Sequence, residues 1–187
     1  MKRKVHFRVF FMIVAGMMYA CHPDKNKKID PEPQFSTSDA SELFFKNVRQ
    51  SYYDKFEMKE AKLEVYRIKE RMQMEQYPLL QPAIVVNWRY DEAYLLLEPN
   101  ATLQGLDSVK IIWEDTVAHK KGYYVFANGN KADHYRLATS IYNSIQDRQQ
   151  LYVLGKDNQK QEFLHKATDR EAFRKTLFDY YRLVNLI

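Results

Sequence analysis

The chain has one cysteine, five glycines and six prolines in 187 residues. A single thiol closes no internal disulfide, so packing alone must hold whatever domain forms. With so little glycine there is no loop of the kind that cradles phosphate, and neither a dinucleotide fingerprint, a phosphate-binding loop nor a Gly-x-Ser-x-Gly elbow occurs. No apolar run is long enough to cross a bilayer; the longest, residues 9–20, spans about 18 Å as a helix against a hydrocarbon core of roughly 30 Å.

Histidine is also sparse. His22, His119, His134 and His165 are scattered, with no His-x-His or His-x-x-x-His spacing, which argues against a zinc site; His134 and His165 are expected to be exposed or partner-bonded at the surface. The adjacent acids Asp91-Glu92 and Glu114-Asp115 fall at turns or strand ends, and neighbours on a strand face opposite ways, so neither makes the facing pair that glycoside hydrolysis needs. No catalytic, cofactor-binding or metal-binding set is assigned, and a non-enzymatic role is favoured.

The formal net charge of +5 invites a nucleic-acid reading, but four of its cations are Lys2, Arg3, Lys4 and Arg8. Without them the remainder carries only +1, too little for a positive field in a folded domain, so nucleic acid is excluded as a partner.

What is present begins with those cations. They precede the uncharged residues 9–20, and the sole cysteine follows at Cys21, within Met18-Tyr19-Ala20-Cys21. A positive segment, a short apolar segment and a small residue before the cut form a secretory signal. The last four residues resemble the lipobox of bacterial lipoproteins. That resemblance implies a signal peptide over residues 1–20, diacylation of the Cys21 thiol and a membrane held through the lipid. His22 stands where an Asp commonly marks inner-membrane retention, which implies the outer membrane of a Gram-negative envelope. Residues 21–41 hold Pro23, Pro31, Pro33, Lys25, Lys27 and Lys28 and read as a flexible tether.

Residues 42–187 are expected to form one α+β domain: an antiparallel meander covered by two C-terminal amphipathic helices. The chain is 45% hydrophobic, with 14 Tyr and 11 Phe, enough for a core. Residues 43–56 fit helix or strand, and the reading adopted is strands near 45–56 and 62–70. Pro78 and Pro82 bracket a loop. Residues 83–88 and 93–98 make a hairpin across Arg89-Tyr90-Asp91-Glu92, and residues 109–113 and 123–126 add two strands. Asn130 caps a helix with Tyr135, Ala138, Ile141, Tyr142 and Ile145 inward. A hairpin over 151–165 follows, and Thr168 with Glu171 forms a capping box for a last helix with Phe173, Leu177, Tyr180 and Leu183 inward. The resulting strand, helix, hairpin, helix order is similar to small periplasmic domains of the invasion-associated-locus-B type, in order alone. The whole resembles Bacteroidota lipoproteins without an assigned activity, which implies a location and no chemistry. A weak internal match at an offset of 38 residues pairs Asp133 with Glu171, Tyr135 with Phe173 and Tyr142 with Tyr180.

The aromatics remain as candidate binding residues. Trp88, Tyr90 and Tyr94 surround one hairpin and Trp113 lies on the next strand pair, an aromatic face for a glycan or envelope protein if exposed and core if not. Two roles are therefore expected. The first is a lipid-anchored, non-enzymatic interaction or accessory module of the cell envelope. The second is a ligand-binding or hydrolytic lipoprotein with a non-contiguous site such as Trp88, Tyr90 and His165. Tyr123 and Tyr124 must point to opposite faces.

Overall fold

The computed structural model describes residues 26–30, 32–70, 77–106, 108–127, 129–155 and 159–187; the leader, Cys21 and the lipobox lie outside them. Helix α1 (Asp39–Phe44) runs on through a π turn (Phe45–Arg49) and a 3-10 turn (Gln50–Tyr52) into β1 (Tyr53–Met58) and β2 (Leu63–Ile68). There follow β3 (Leu80–Asn87), β4 (Glu92–Pro99), β5 (Val109–Asp115) and β6 (Lys120–Phe126), then α2 (Lys131–Gln146), β7 (Gln150–Leu154), β8 (Lys160–Glu162) and α3 (Ala167–Leu183).

The domain is α+β, but its strands form two antiparallel sheets where a single meander was expected, ordered β1-β2-β3-β4 and β6-β5-β7-β8. The break falls in the turn after β4, where Gly105 takes φ +80°, a conformation that glycine reaches without strain. In the second sheet α2 carries the chain from β6 to the far side of β5, so β7 pairs with β5. Both helices share one core with the two sheets. Helix α2 packs against β4 of the first sheet, β6 and β7 of the second, and α3; α3 packs against β3 and β4. Four tyrosines meet at the helix contact: Tyr135, Tyr142, Tyr180 and Tyr181, all fully buried, with edge-on ring centroids 5.2 to 6.3 Å apart. Burial of so large a side chain stabilises by about 1.5–3 kcal/mol provided its hydroxyl is satisfied. Tyr181 donates to Thr139 Oγ1 at 3.0 Å, Tyr135 to the Asp30 carbonyl at 3.0 Å, and Tyr142 accepts from Gln146 at 2.7 Å.

Four local expectations are corrected. Residues 45–52 are helical rather than strand, because Ser38 and Ser41 form a reciprocal capping box that starts α1 and carries Phe45 into the core against Tyr53 and Tyr66; Val48 and Tyr52 face solvent. Pro82 lies inside β3, not in a loop. The β2–β3 register ends at Arg67↔Ala83, so the donor that Pro82 lacks falls just beyond the last rung. Helix α3 starts at Ala167 behind Lys166, which has no side-chain cap, so Thr168 and Glu171 are not its capping box. Arg170 sets the entry instead, donating to the carbonyls of Leu164 and Gln149 at 2.8 Å each. The 38-residue match therefore slips by two at the helix starts, Asn130 against Lys166, though both members of the Tyr135/Phe173 and Tyr142/Tyr180 pairs are buried.

The segment before α1 is bound to the domain. The Asn143 side chain bridges the backbone N–H and C=O of Ile29 at 3.0 and 2.9 Å. Tyr180 donates to the Gln34 carbonyl, Ala93 N–H to the Phe35 carbonyl at 2.7 Å, and Thr37 N–H to the Asp91 carbonyl at 2.8 Å. Ile29 and Thr37, composition notwithstanding, are buried parts of the fold.

Candidate binding face

The β3–β4 turn, residues 88–91, carries Trp88 and Tyr90, 45% and 63% exposed. The turn closes through Asp91 in the left-handed region, φ +50°, which Asp tolerates better than a bulkier residue. Each ring meets a cation: Lys62 Nζ lies 4.7 Å from the Trp88 ring centre, and the Arg89 guanidinium carbon 5.5 Å from that of Tyr90. Lys62 sits in the β1–β2 turn at φ +58°, so the cation over Trp88 comes from the adjacent hairpin tip.

Beside Trp88 runs an open groove of about 500 Å³, lined by Lys46, Glu57, Lys59, Lys62, Leu63 and Glu64 as well as Trp88. Its floor is electrostatically ordered. Lys55 Nζ bridges Glu57 and Glu64 at 2.6 and 2.7 Å, and the Tyr66 hydroxyl donates to Glu64 at 2.7 Å. Burial would raise the Glu64 carboxyl, but the bonds from Lys55 and Tyr66 outweigh it and hold Glu64 below its usual range. Those two carboxylates hold Lys55 charged more firmly than usual. The groove thus presents fixed charge of both signs beside an exposed indole, a surface suited to stacking and polar recognition.

Tyr94 is half-buried on the same hairpin, on the sheet face turned away from the helices, where its row across the strands is Phe56, Val65, Val85 and Tyr94. Phe56 is exposed, and Tyr94 packs with Leu63 and Leu96 on Val65, Ala83 and Val85. Trp113 does not join these rings. It lies on β5 in the other sheet, half-buried against the core, and its ring covers Gly122 so closely that a Cβ there would stand 2.6 Å from Cζ2. Tyr123 and Tyr124 do face opposite ways: Tyr123 is exposed, and Tyr124 is half-buried with its hydroxyl 3.0 Å from Ser144 Oγ.

The histidines are apart. His134, expected at the surface, is buried, and Nδ1 accepts the Leu97 N–H at 3.0 Å. His165 is exposed beside Tyr77, ring centroids 5.2 Å apart, at the start of β3; Trp88 follows the end of that eight-residue strand, roughly 26 Å on at about 3.3 Å per residue. Trp88, Tyr90 and His165 therefore do not form one site. Three of the four paired acids are engaged in structure: Glu92 binds Lys131 at 2.9 Å, Glu114 binds Lys160 at 2.7 Å, and Asp115 accepts from Val117 and Ala118 in its turn. Among the described residues no three His, Cys, Asp or Glu side chains converge as a metal site would require.

Composition and spacing did not point to the trio of half-buried Arg49 with buried Tyr53 and Asp179. Arg49 Nε and the Tyr53 hydroxyl donate to the two oxygens of Asp179 at 2.7 Å each, joining the helical entry to α3. The trio is structural, since Asp179 is 2% exposed and both its oxygens are engaged. A mid-helix Asp on an inward face was its one sequence signal.

Compared with models of known families, with curated proteins and with solved structures, the chain matches none.

Proposed function

We propose that this protein is a lipid-anchored component of a bacterial cell envelope whose folded domain works as a non-enzymatic interaction module. The observation that carries the anchoring is the sole cysteine, Cys21, placed directly behind the basic leader and the uncharged residues 9–20. Each buried acyl methylene contributes about 0.8 kcal/mol, so two chains retain the domain at a membrane without help from its surface. Among the described residues no helix is long and apolar enough to cross a membrane. The outer membrane is the favoured address. The strand, helix, hairpin, helix run from β6 to α3 serves as scaffold and the β3–β4 turn as the reading edge.

Radiolabelled palmitate should enter the protein in a bacterial host and fail to enter Cys21→Ala; an unlabelled wild-type chain would end the anchoring reading.

A glycan or peptide ligand at the same turn is the second reading, favoured by the cation-backed Trp88 and Tyr90 beside an open groove. It predicts that envelope glycan fragments change Trp88 emission in a Trp113→Phe background; no change with glycans or with peptides would leave the ligand reading without support.

A further inference from the structure

We propose that β1, the uncovered edge of the first sheet, pairs with β1 of a second copy of this chain around a two-fold axis at Phe56. This inference goes beyond the anchored-module reading and does not depend on it. The two edges of that sheet are finished differently. At β4, Ala93 N–H donates to the Phe35 carbonyl, Thr37 N–H to the Asp91 carbonyl and Leu97 N–H to His134, so the segment before α1 and an imidazole occupy the edge. At β1 every residue after Tyr53 is exposed, and among the described residues no segment pairs with its outer side. Phe56 and Met58 stand 58% and 44% exposed on it. A bare strand edge with apolar side chains is a template for another strand.

The ladder decides which strand fits. Lys69 N–H donates to the Tyr52 carbonyl at 3.0 Å, one step outside the Tyr53↔Ile68 pair. Hydrogen-bonded and non-hydrogen-bonded pairs alternate between antiparallel strands, so Asp54, Phe56 and Met58 spend their backbone groups on β2, while Lys55 and Glu57 turn theirs outward. Within the length of β1, a two-fold partner matches these two residues to themselves or to each other. Self-matching sets Lys55 on Lys55 or Glu57 on Glu57, like charges directly opposite. Sliding further runs the partner into the 3-10 turn before β1 or the turn after it. The remaining register sets Lys55 opposite the second copy's Glu57, twice, with the two Phe56 rings meeting at the axis on a pair of Cα atoms about 4.5 Å apart. Lys55 already binds Glu57 of its own copy at 2.6 Å, and the Glu57 side chain is 44% exposed, so the four groups close into a ring of alternating charge. On the outer face the row Phe56, Val65, Val85, Tyr94 continues into the same row of the second copy. The second sheet offers less: β8 has three residues, and β6 carries Lys120 and Lys121 with no acid to answer them.

A six-residue edge is a small interface, short of the roughly 1,200 Å² of stable complexes, so association is weak and is read by raising concentration. Sedimentation equilibrium of the full chain in a density-matched neutral detergent should show a monomer–dimer equilibrium, and Phe56→Asp, a change at an exposed position, should be monomeric at the same concentrations. Lys55→Glu and Glu57→Lys should each weaken self-association by about tenfold or more, because each sets like charges opposite in both pairs. Mixed in equal amounts, these two variants should associate again, since an acidic pair at 55 and 57 then meets a basic one. A rearranged ion-pair network inside one copy cannot produce that rescue. Photo-cross-linking from benzoylphenylalanine at position 56 should join two copies through β1, and serves if the charge variants do not fold. A monomer at every concentration, a dimer that survives Phe56→Asp, charge variants that stay apart when mixed, or a cross-link to no second copy would overturn the proposal.

Discussion

The backbone N–H of Leu97 donates to Nδ1 of His134 at 3.0 Å, so an imidazole from α2 takes the place of a fifth strand at the edge of the first sheet. The ring is buried and lies 4.8 Å from that of Phe126 in the second sheet, which makes His134 a joint between both sheets and the helix. Accepting through Nδ1 requires the neutral tautomer protonated at Nε2. Burial lowers the His134 pKa below its ordinary 6.5, and the nearby charge of Asp133 only partly offsets this.

Stability should therefore fall on acidification. Below pH 6.5 the unfolded chain binds a proton at His134 that the folded chain refuses, so the stabilisation is complete above that value and is lost as pH falls toward the depressed folded pKa. Urea unfolding between about pH 7.5 and pH 5 should show this slope, and His134→Gln should flatten the part that lies nearest 6.5. An identical slope in the variant would place the acid sensitivity elsewhere.

Asp179 holds Arg49 and Tyr53 together across the join of the helical entry and α3. Asp179→Ala strands a half-buried guanidinium and a buried hydroxyl, with an expected loss of about 3–5 kcal/mol in chemical denaturation. Replacing the whole trio by Met, Phe and Leu at 49, 53 and 179 should recover most of that loss, because the stranded groups go with it. Equal damage from the single and triple variants would contradict this.

Gly122→Ala puts a methyl group into the Trp113 ring, 2.6 Å from Cζ2. The indole is half-buried against the core and must turn outward, which should cost about 1–3 kcal/mol and shift Trp113 emission to longer wavelength in a Trp88→Phe background. Unshifted emission would mean that the strand yields instead.

Asn143 is the clasp of the segment before α1. Removing both of its bonds to Ile29 by Asn143→Ala should cost about 1–3 kcal/mol and speed tryptic cleavage at Lys27 and Lys28, the latter paired with Asp147 at 2.8 Å. Unchanged cleavage would show that Tyr135 and Tyr180 suffice to hold the segment.

Much of the secondary structure was legible because its causes are local. Continuous apolar, β-rich runs mark β3 and β4, and Asn130 with Asp133 and the Tyr135, Ala138, Ile141, Tyr142 stripe mark α2, each within a few residues. The Ser38 and Ser41 box was equally local and was masked by the strand preference of Val48, Tyr52 and Tyr53. Of the four candidate aromatics, the common hairpin already grouped Trp88, Tyr90 and Tyr94.

Beyond that, the sequence by itself settled composition-level matters: a chain without disulfides, with a single thiol behind an apolar run and almost no net charge past its first eight residues. Tertiary structure alone decided that the strands divide into two sheets, that Trp113 belongs to the other one, that Ile29 is clasped by a residue 114 positions away and Tyr53 by one 126 away, and that Asp169 is enclosed with an oxygen unspent. The reason is physical. Periodicity tells which face of an element is apolar, whereas the partner of that face, and the polar groups trapped behind it, depend on which distant surfaces exclude water together.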